Sequence, residues 1–183
     1  MNDIRDISLA PSGELKIAWV RRNMAVLRGI EADFAAEKPF AGMKIALSVH
    51  LEAKTAYLCR VLAAGGAEMY VTGSNPLSTQ DDVAAALAAG GIEVHATHGA
   101  SPEEYEKQLE AVLSVGPNII IDDGGELVEL MRTKFADLLP GVHAAAEYAQ
   151  GEQILLPHPE ETGGLGGQRI HPRPGGKLDG INS

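Results

Sequence analysis

The chain has 183 residues, 45% of them hydrophobic and 4% aromatic, with a formal net charge of −10. That is enough for one well-cored domain, and the acidity, with no Lys/Arg run, argues against a nucleic-acid or anionic-membrane surface. The single cysteine, Cys59, excludes an internal disulfide framework and fits a reducing compartment. No basic segment leads into an apolar core at the N-terminus, and no apolar run reaches the roughly 20 residues of a membrane span. The expectation is a soluble, cytoplasmic protein with neither nucleic acid nor membrane as partner.

In chain order, Ser12 is a candidate N-cap for a helix over 12–35, with Leu15, Ala18, Trp19, Met24, Leu27 and Phe34 as its apolar stripe. An alternation follows. The run 43–49 (MKIALSV) predicts a strand, 52–64 a helix stopped by Gly65-Gly66, and 67–73 a second strand. A helix over 78–90 opens at Ser78, and 92–97 is a third strand. The next helix, 101–113, has a Ser cap, proline in its first turn and early acids; 118–122 is the fourth strand and 125–138 the last helix. Strand, helix, strand at this spacing predicts an α/β fold: a Rossmann-like open parallel sheet of about four strands in the order 3-2-1-4, helices on both faces. This domain is expected over 1–145. From 146 to 183 the chain is rich in Pro and Gly without period, and reads as an irregular or disordered tail. Its GGLGG has neither a strand before it nor a helix after it, so it fails as a dinucleotide fingerprint.

Ligands of open parallel sheets sit beyond the carboxyl ends of the strands, where the strand order reverses. Strand one delivers His50, then Glu52, Lys54 and Thr55 at a helix start. Strand two delivers Ser78, Thr79 and Gln80, strand three His98, and strand four Asp122 and Asp123. A histidine, carboxylates, amides and hydroxyls in one crevice suit a polyhydroxylated small molecule whose protons are moved. Each group alone has an ordinary reading: a loop histidine, a solvated lysine, a helix cap at STQDD, an acidic turn at DDGG.

Four stretches, DISLAPSGELKIAWVRRNM (6–24), HLEAKTAYL (50–58), SNPLSTQDDVAAAL (74–87) and GPNIIIDDGGELVEL (116–130), closely resemble the substrate-binding domain of the adenosylhomocysteinase (S-adenosyl-L-homocysteine hydrolase) family. The resemblance covers roughly residues 3 to 141. It implies a reaction in which tightly bound NAD oxidises the ribose 3′-hydroxyl and so acidifies the 4′ proton. Loss of that proton expels homocysteine, water adds, and the ketone is reduced back to adenosine. It further implies that His50 and Asp123 are the acid/base groups near the 5′ position. Glu52, Lys54, Thr55, Thr79 and Gln80 are then the groups that bind substrate, several of them around the adenine.

The family continues into EETTTG, a Lys and an Asp-Asn pair, and then an NAD-binding domain. Here AAAEYAQGEQILLPHP intervenes, and Glu160-Glu161-Thr162 comes displaced and followed by GGLGG. Glu161 and Thr162 are therefore only weak substrate-contact candidates, and no cofactor site is expected in this chain, although the full-length family uses NAD. The resemblance then implies a truncated or split homologue, inactive by itself, with adenosine or S-adenosylhomocysteine as ligand and a separate NAD-binding half as candidate partner. The alternative is a non-enzymatic adenosine-binding or regulatory module.

Overall fold

The computed structural model describes residues 1–149 and 152–155. Glu161, Thr162, the GGLGG segment and most of the expected tail lie outside them. The elements are β1 (Asp3–Ile4), α1 (Ala10–Asn23), α2 (Ala25–Glu37), β2 (Lys44–Ser48), α3 (Ala53–Ala64), β3 (Glu68–Thr72), α4 (Asp81–Ala89), β4 (Glu93–Ala96), α5 (Pro102–Leu113), β5 (Ile119–Asp122), α6 (Glu126–Thr133), β6 (Ala144–Ala149) and β7 (Glu152–Leu155).

The strands form one sheet in the order β1-β4-β3-β2-β5-β6-β7, parallel throughout except for the β6–β7 pair. The fold is the expected Rossmann-like α/β sheet, but strand count and full order differ from the expectation. The four expected strands are β2 to β5 and keep their relative order in the middle. β1 extends one edge, and it is two residues long, too short for any period to show. β6 and β7 extend the other edge past residue 145, where AAAEYA lacks the β-branched residues that mark a strand.

The sheet separates two cores by the period-2 alternation of its strands. Ile45, Leu47, Met69 and Val71 pack with α1, α3 and α4 side chains such as Ile17, Val61 and Leu87. Ala46, Ile120 and Ala145 face Leu109, Val112, Leu127 and Met131 of α5 and α6. β2 is the central strand and is almost wholly buried.

Several helix boundaries differ from the expectation. The helix over 12–35 is two helices, broken at Met24 (φ −103°, ψ 74°). Ser12 is no cap: α1 starts at Ala10, and the Ser12 hydroxyl donates to Asp82 Oδ2 at 2.8 Å. The buried residues of α1 are Gly13, Ile17 and Val20, leaving Leu15 (75%) and Trp19 (59%) exposed. The phase is set by Gly13, whose added Cβ would lie 1.9 Å from the Asp82 carbonyl oxygen, so α1 and α4 are in backbone contact there. Ser78 ends a 3₁₀ turn capped by Asn75, and α4 begins only at Asp81. By contrast, α5 carries the expected Ser101 cap, which Glu104 completes into a capping box. Among the described residues no helix is long and apolar enough to cross a membrane.

Candidate functional site

β2, β3 and β4 run outward in sequence on one side, and the chain then crosses to β5 on the other side of β2. The order reverses between β2 and β5, whose last residues, Ser48 and Asp122, are register partners.

The two aspartates that leave β5 have opposite fates. Asp122 is buried (3%) and its Oδ2 accepts from the Val128 amide at 3.0 Å. The first residue of the α6 entry, Gly125 (φ 88°), has no side chain to cap the helix, so the strand aspartate caps it instead. Asp123 is half-buried. Its amide donates to Ser48 O at 2.9 Å, extending the ladder by one bond. Its carboxylate turns into the crevice, with Oδ2 3.7 Å from His50 Nε2 and 3.3 Å from the Ser74 hydroxyl. Gly124 (φ 114°) and Gly125 make the reversal that leaves room for this, and a Cβ on Gly124 would meet Glu126 Oε2 at 2.6 Å.

His50 is held from its other nitrogen, with Nδ1 2.6 Å from Ser78 Oγ. The Ser78 hydroxyl donates to the Asn75 carbonyl at 2.8 Å, so its oxygen is the acceptor and His50 Nδ1–H the donor. That assignment leaves Nε2 facing Asp123: a lone pair when the ring is neutral, an N–H toward a carboxylate when it is protonated. One proton can thus be passed at this place between an imidazole, a carboxylate and a bound molecule. Tyr105 closes the back of the crevice and donates to the Ser74 carbonyl at 3.0 Å. Burial, and then the Glu126 carboxylate, push its phenol up to about 12.

Beside this pair is an open groove of about 610 Å³ lined by Leu15, Lys16, Trp19, Val20, Glu52, Ala53, Lys54 and Gln80. Lys16 Nζ donates to Gln80 Oε1 at 3.0 Å and to Asp82 Oδ1 at 2.9 Å. The Gln80 oxygen is thereby fixed toward Lys16. Of the nine residues expected in the site, His50 and Asp123 meet, and Glu52, Lys54 and Gln80 share the groove. Thr55 (8%) and Thr79 (4%) are buried and do not line it, and Glu161 and Thr162 are not described. His98 is drawn away: its Nδ1 lies 3.0 Å from the Thr79 carbonyl and its amide donates to Asp81. Cys59 is fully buried, its thiol pushed up to about 12 by burial. Ser74, Tyr105, Lys16 and Trp19 were not singled out for the site by sequence. Ser74 directly follows the expected second strand, 67–73, and Trp19 falls in the apolar stripe of the expected first helix.

The family profile described as S-adenosyl-L-homocysteine hydrolase matches residues 2–159. The chain belongs to that family. It is 46% identical over 165 residues to an S-inosyl-L-homocysteine hydrolase of Methanococcus maripaludis, 90% of this chain and 40% of that relative. It is 48% identical over 162 residues to an adenosylhomocysteinase of Thermococcus kodakarensis (88% and 38%), and 51% identical over 144 residues to an adenosylhomocysteinase of Pyrococcus abyssi (79% and 34%). The chain therefore spans 34 to 40% of the length of these relatives. The NAD that the family resemblance implies finds no glycine-rich cradle at the first strand-to-helix turn of the β2–α3–β3 unit. The turn from β2 into α3, the usual dinucleotide position, reads Val49-His50-Leu51-Glu52, with no glycine to let a backbone approach a pyrophosphate.

Proposed function

We propose that this chain supplies the nucleoside-binding and proton-transferring side of a thioether hydrolase acting on S-adenosyl- or S-inosyl-L-homocysteine. The observation that carries the reading is the His50–Asp123 pair at the reversal between β2 and β5, adjoining a groove bordered by Glu52, Lys54 and Gln80. A purine held by its polar edge in the groove would direct its ribose toward the pair. His50 and Asp123 then exchange a proton with the 5′ leaving group and the incoming water. Glu52 only accepts and Lys54 only donates. Adenine (6-amino donor, N1 acceptor) and hypoxanthine (6-carbonyl acceptor, N1–H donor) each present one donor and one acceptor, in opposite order, so the two side chains serve either base by exchanging the atom each pairs with. The names of the relatives cover both.

The family resemblance assigns the redox activation of the ribose to NAD, and the β2–α3 turn lacks the glycines of a dinucleotide site. General acid/base groups contribute factors of about 10² to 10⁴, too little to replace it. Alone, then, the 183-residue chain binds and does not turn over, and hydrolysis needs an NAD-binding half supplied by another segment or chain. Isothermal calorimetry with adenosine, inosine and S-adenosylhomocysteine tests the binding. Saturable heat with at least one of them is expected, and none at millimolar ligand would overturn the reading. Release of homocysteine by the purified 183-residue chain, with NAD added, would overturn the division of labour.

A further inference from the structure

The groove has a polar side and an apolar side, and the apolar side comes from α1. Leu15 and Trp19 stand one helical turn apart, so both project from the same face. They are 75% and 59% exposed, while Ile17 and Val20 of the same helix are buried in the core. Two large apolar side chains in water beside a concave surface mark a contact site rather than ordinary surface. Opposite them are Glu52 and Lys54, and among the described residues neither side chain has a hydrogen bond or ion pair. Gln80 completes the rim. Its oxygen is held by Lys16, which leaves the amide nitrogen to donate toward an occupant. An aromatic plane, an aliphatic edge, an acceptor and two donors around one space describe a flat heteroaromatic ligand with a mixed hydrogen-bonding edge.

We infer that Trp19 is the stacking platform of the purine base, with Leu15 flanking it and Lys16 setting the direction of the Gln80 amide. This rests on the nucleoside reading above and adds to it a wall and its residues. Stacking asks only for a π-face, which every base has, so it does not discriminate adenine from hypoxanthine; Glu52, Lys54 and Gln80 read the edge. The platform is built by packing. Gly13 seats α1 on α4 in backbone contact, which turns Ile17 and Val20 inward and Trp19 toward the groove.

Trp19 is the chain's one tryptophan, so its fluorescence reports this wall alone. Titration of the full chain with adenosine, or with inosine, should quench that emission saturably, with the midpoint that calorimetry gives. Free adenine should quench it too, and free ribose should not. Trp19→Ala should weaken the calorimetric affinity at least about tenfold, equivalent to about 1.4 kcal/mol. Trp19→Phe should retain most of it, and an unchanged far-ultraviolet circular dichroism spectrum confirms the fold of both. Calorimetric binding with unchanged emission, or with Trp19→Ala equal to the parent, overturns the platform while leaving the nucleoside reading intact. No calorimetric binding by the parent chain overturns both. Emission that shifts with protein concentration and not with nucleoside makes the α1 face a contact between copies of the chain, and overturns the platform as well.

Discussion

Asp122 and Asp123 are adjacent and chemically identical, and the structure uses them for different things. Asp122→Ala removes the partner of a buried amide and should cost about 1–3 kcal/mol of folding stability, measured by urea denaturation. Asp123→Asn changes a half-exposed group whose neighbours are His50 and Ser74. It should leave the urea midpoint nearly unchanged and move the His50 ring resonances in NMR spectra at a fixed pH, since the carboxylate opposite Nε2 is gone. The reverse pattern would mean that Asp123, not Asp122, carries the structural role. Part of this was open to a sequence reader. Neighbours in a strand point to opposite faces, so one of the pair had to go inward. Which one did depends on a glycine entry to α6 that cannot cap itself, and nothing in NIIIDDGG says that Val128 needs the aspartate. His50 was legible for a simpler reason, since a polar residue directly after a buried run can only leave the sheet at its carboxyl end.

At the scale of elements, α1 was misread because an amphipathic stripe fixes a helix without fixing its rotation. Leu15, Trp19 and Met24 fit a helical period, but so do Gly13, Ile17 and Val20, and the choice lies with a contact between α1 and α4, far apart in the chain. Gly13→Ala tests it. The new Cβ would sit 1.9 Å from the Asp82 carbonyl, so α1 must move. A loss of about 1–3 kcal/mol is expected, with a weakened nucleoside affinity because Lys16 and Trp19 move too. The same interface has an acid limit. Burial pushes the Asp82 carboxyl up, but hydrogen bonds from Lys16 and Ser12 outweigh this and hold it below its usual value. A depressed carboxylate contributes stability above its unfolded value of 3.8 and loses it as pH falls through the lower, folded one. Lys16→Met should therefore lower stability at neutral pH and flatten its decline on acidification, so that variant and parent converge below the folded value. The elements bounded by their own caps and stops, α3 and α5 above all, were where the sequence put them, because those signals are local.

For the whole molecule the alkaline limit has one contribution from the buried Cys59 thiol and another at the back of the crevice. Tyr105 titrates near 12 in the fold and at its ordinary 10.0 when unfolded. A raised value means stability that is complete below pH 10 and declines as pH climbs toward 12. Urea midpoints across that interval should fall in the parent and fall less in Tyr105→Phe; equal slopes would remove Tyr105 as the cause. Ionisation also ends the donation to the Ser74 carbonyl, so nucleoside binding should weaken over the same interval. The strand order has a consequence in time as well. β2, α3 and β3 are consecutive and can assemble by closing short loops, whereas β5 must wait for everything between before it reaches β2, and distant pairings of this kind form slowly. Ser74 and Asp123, 49 positions apart, and His50 with Asp123 across a still longer stretch of chain, come together only when that last strand docks. A refolding chain should therefore regain its tertiary signal in the α1–α3–α4 half before Asp123 reaches His50, and on a ribosome the two cannot meet until β5 has emerged.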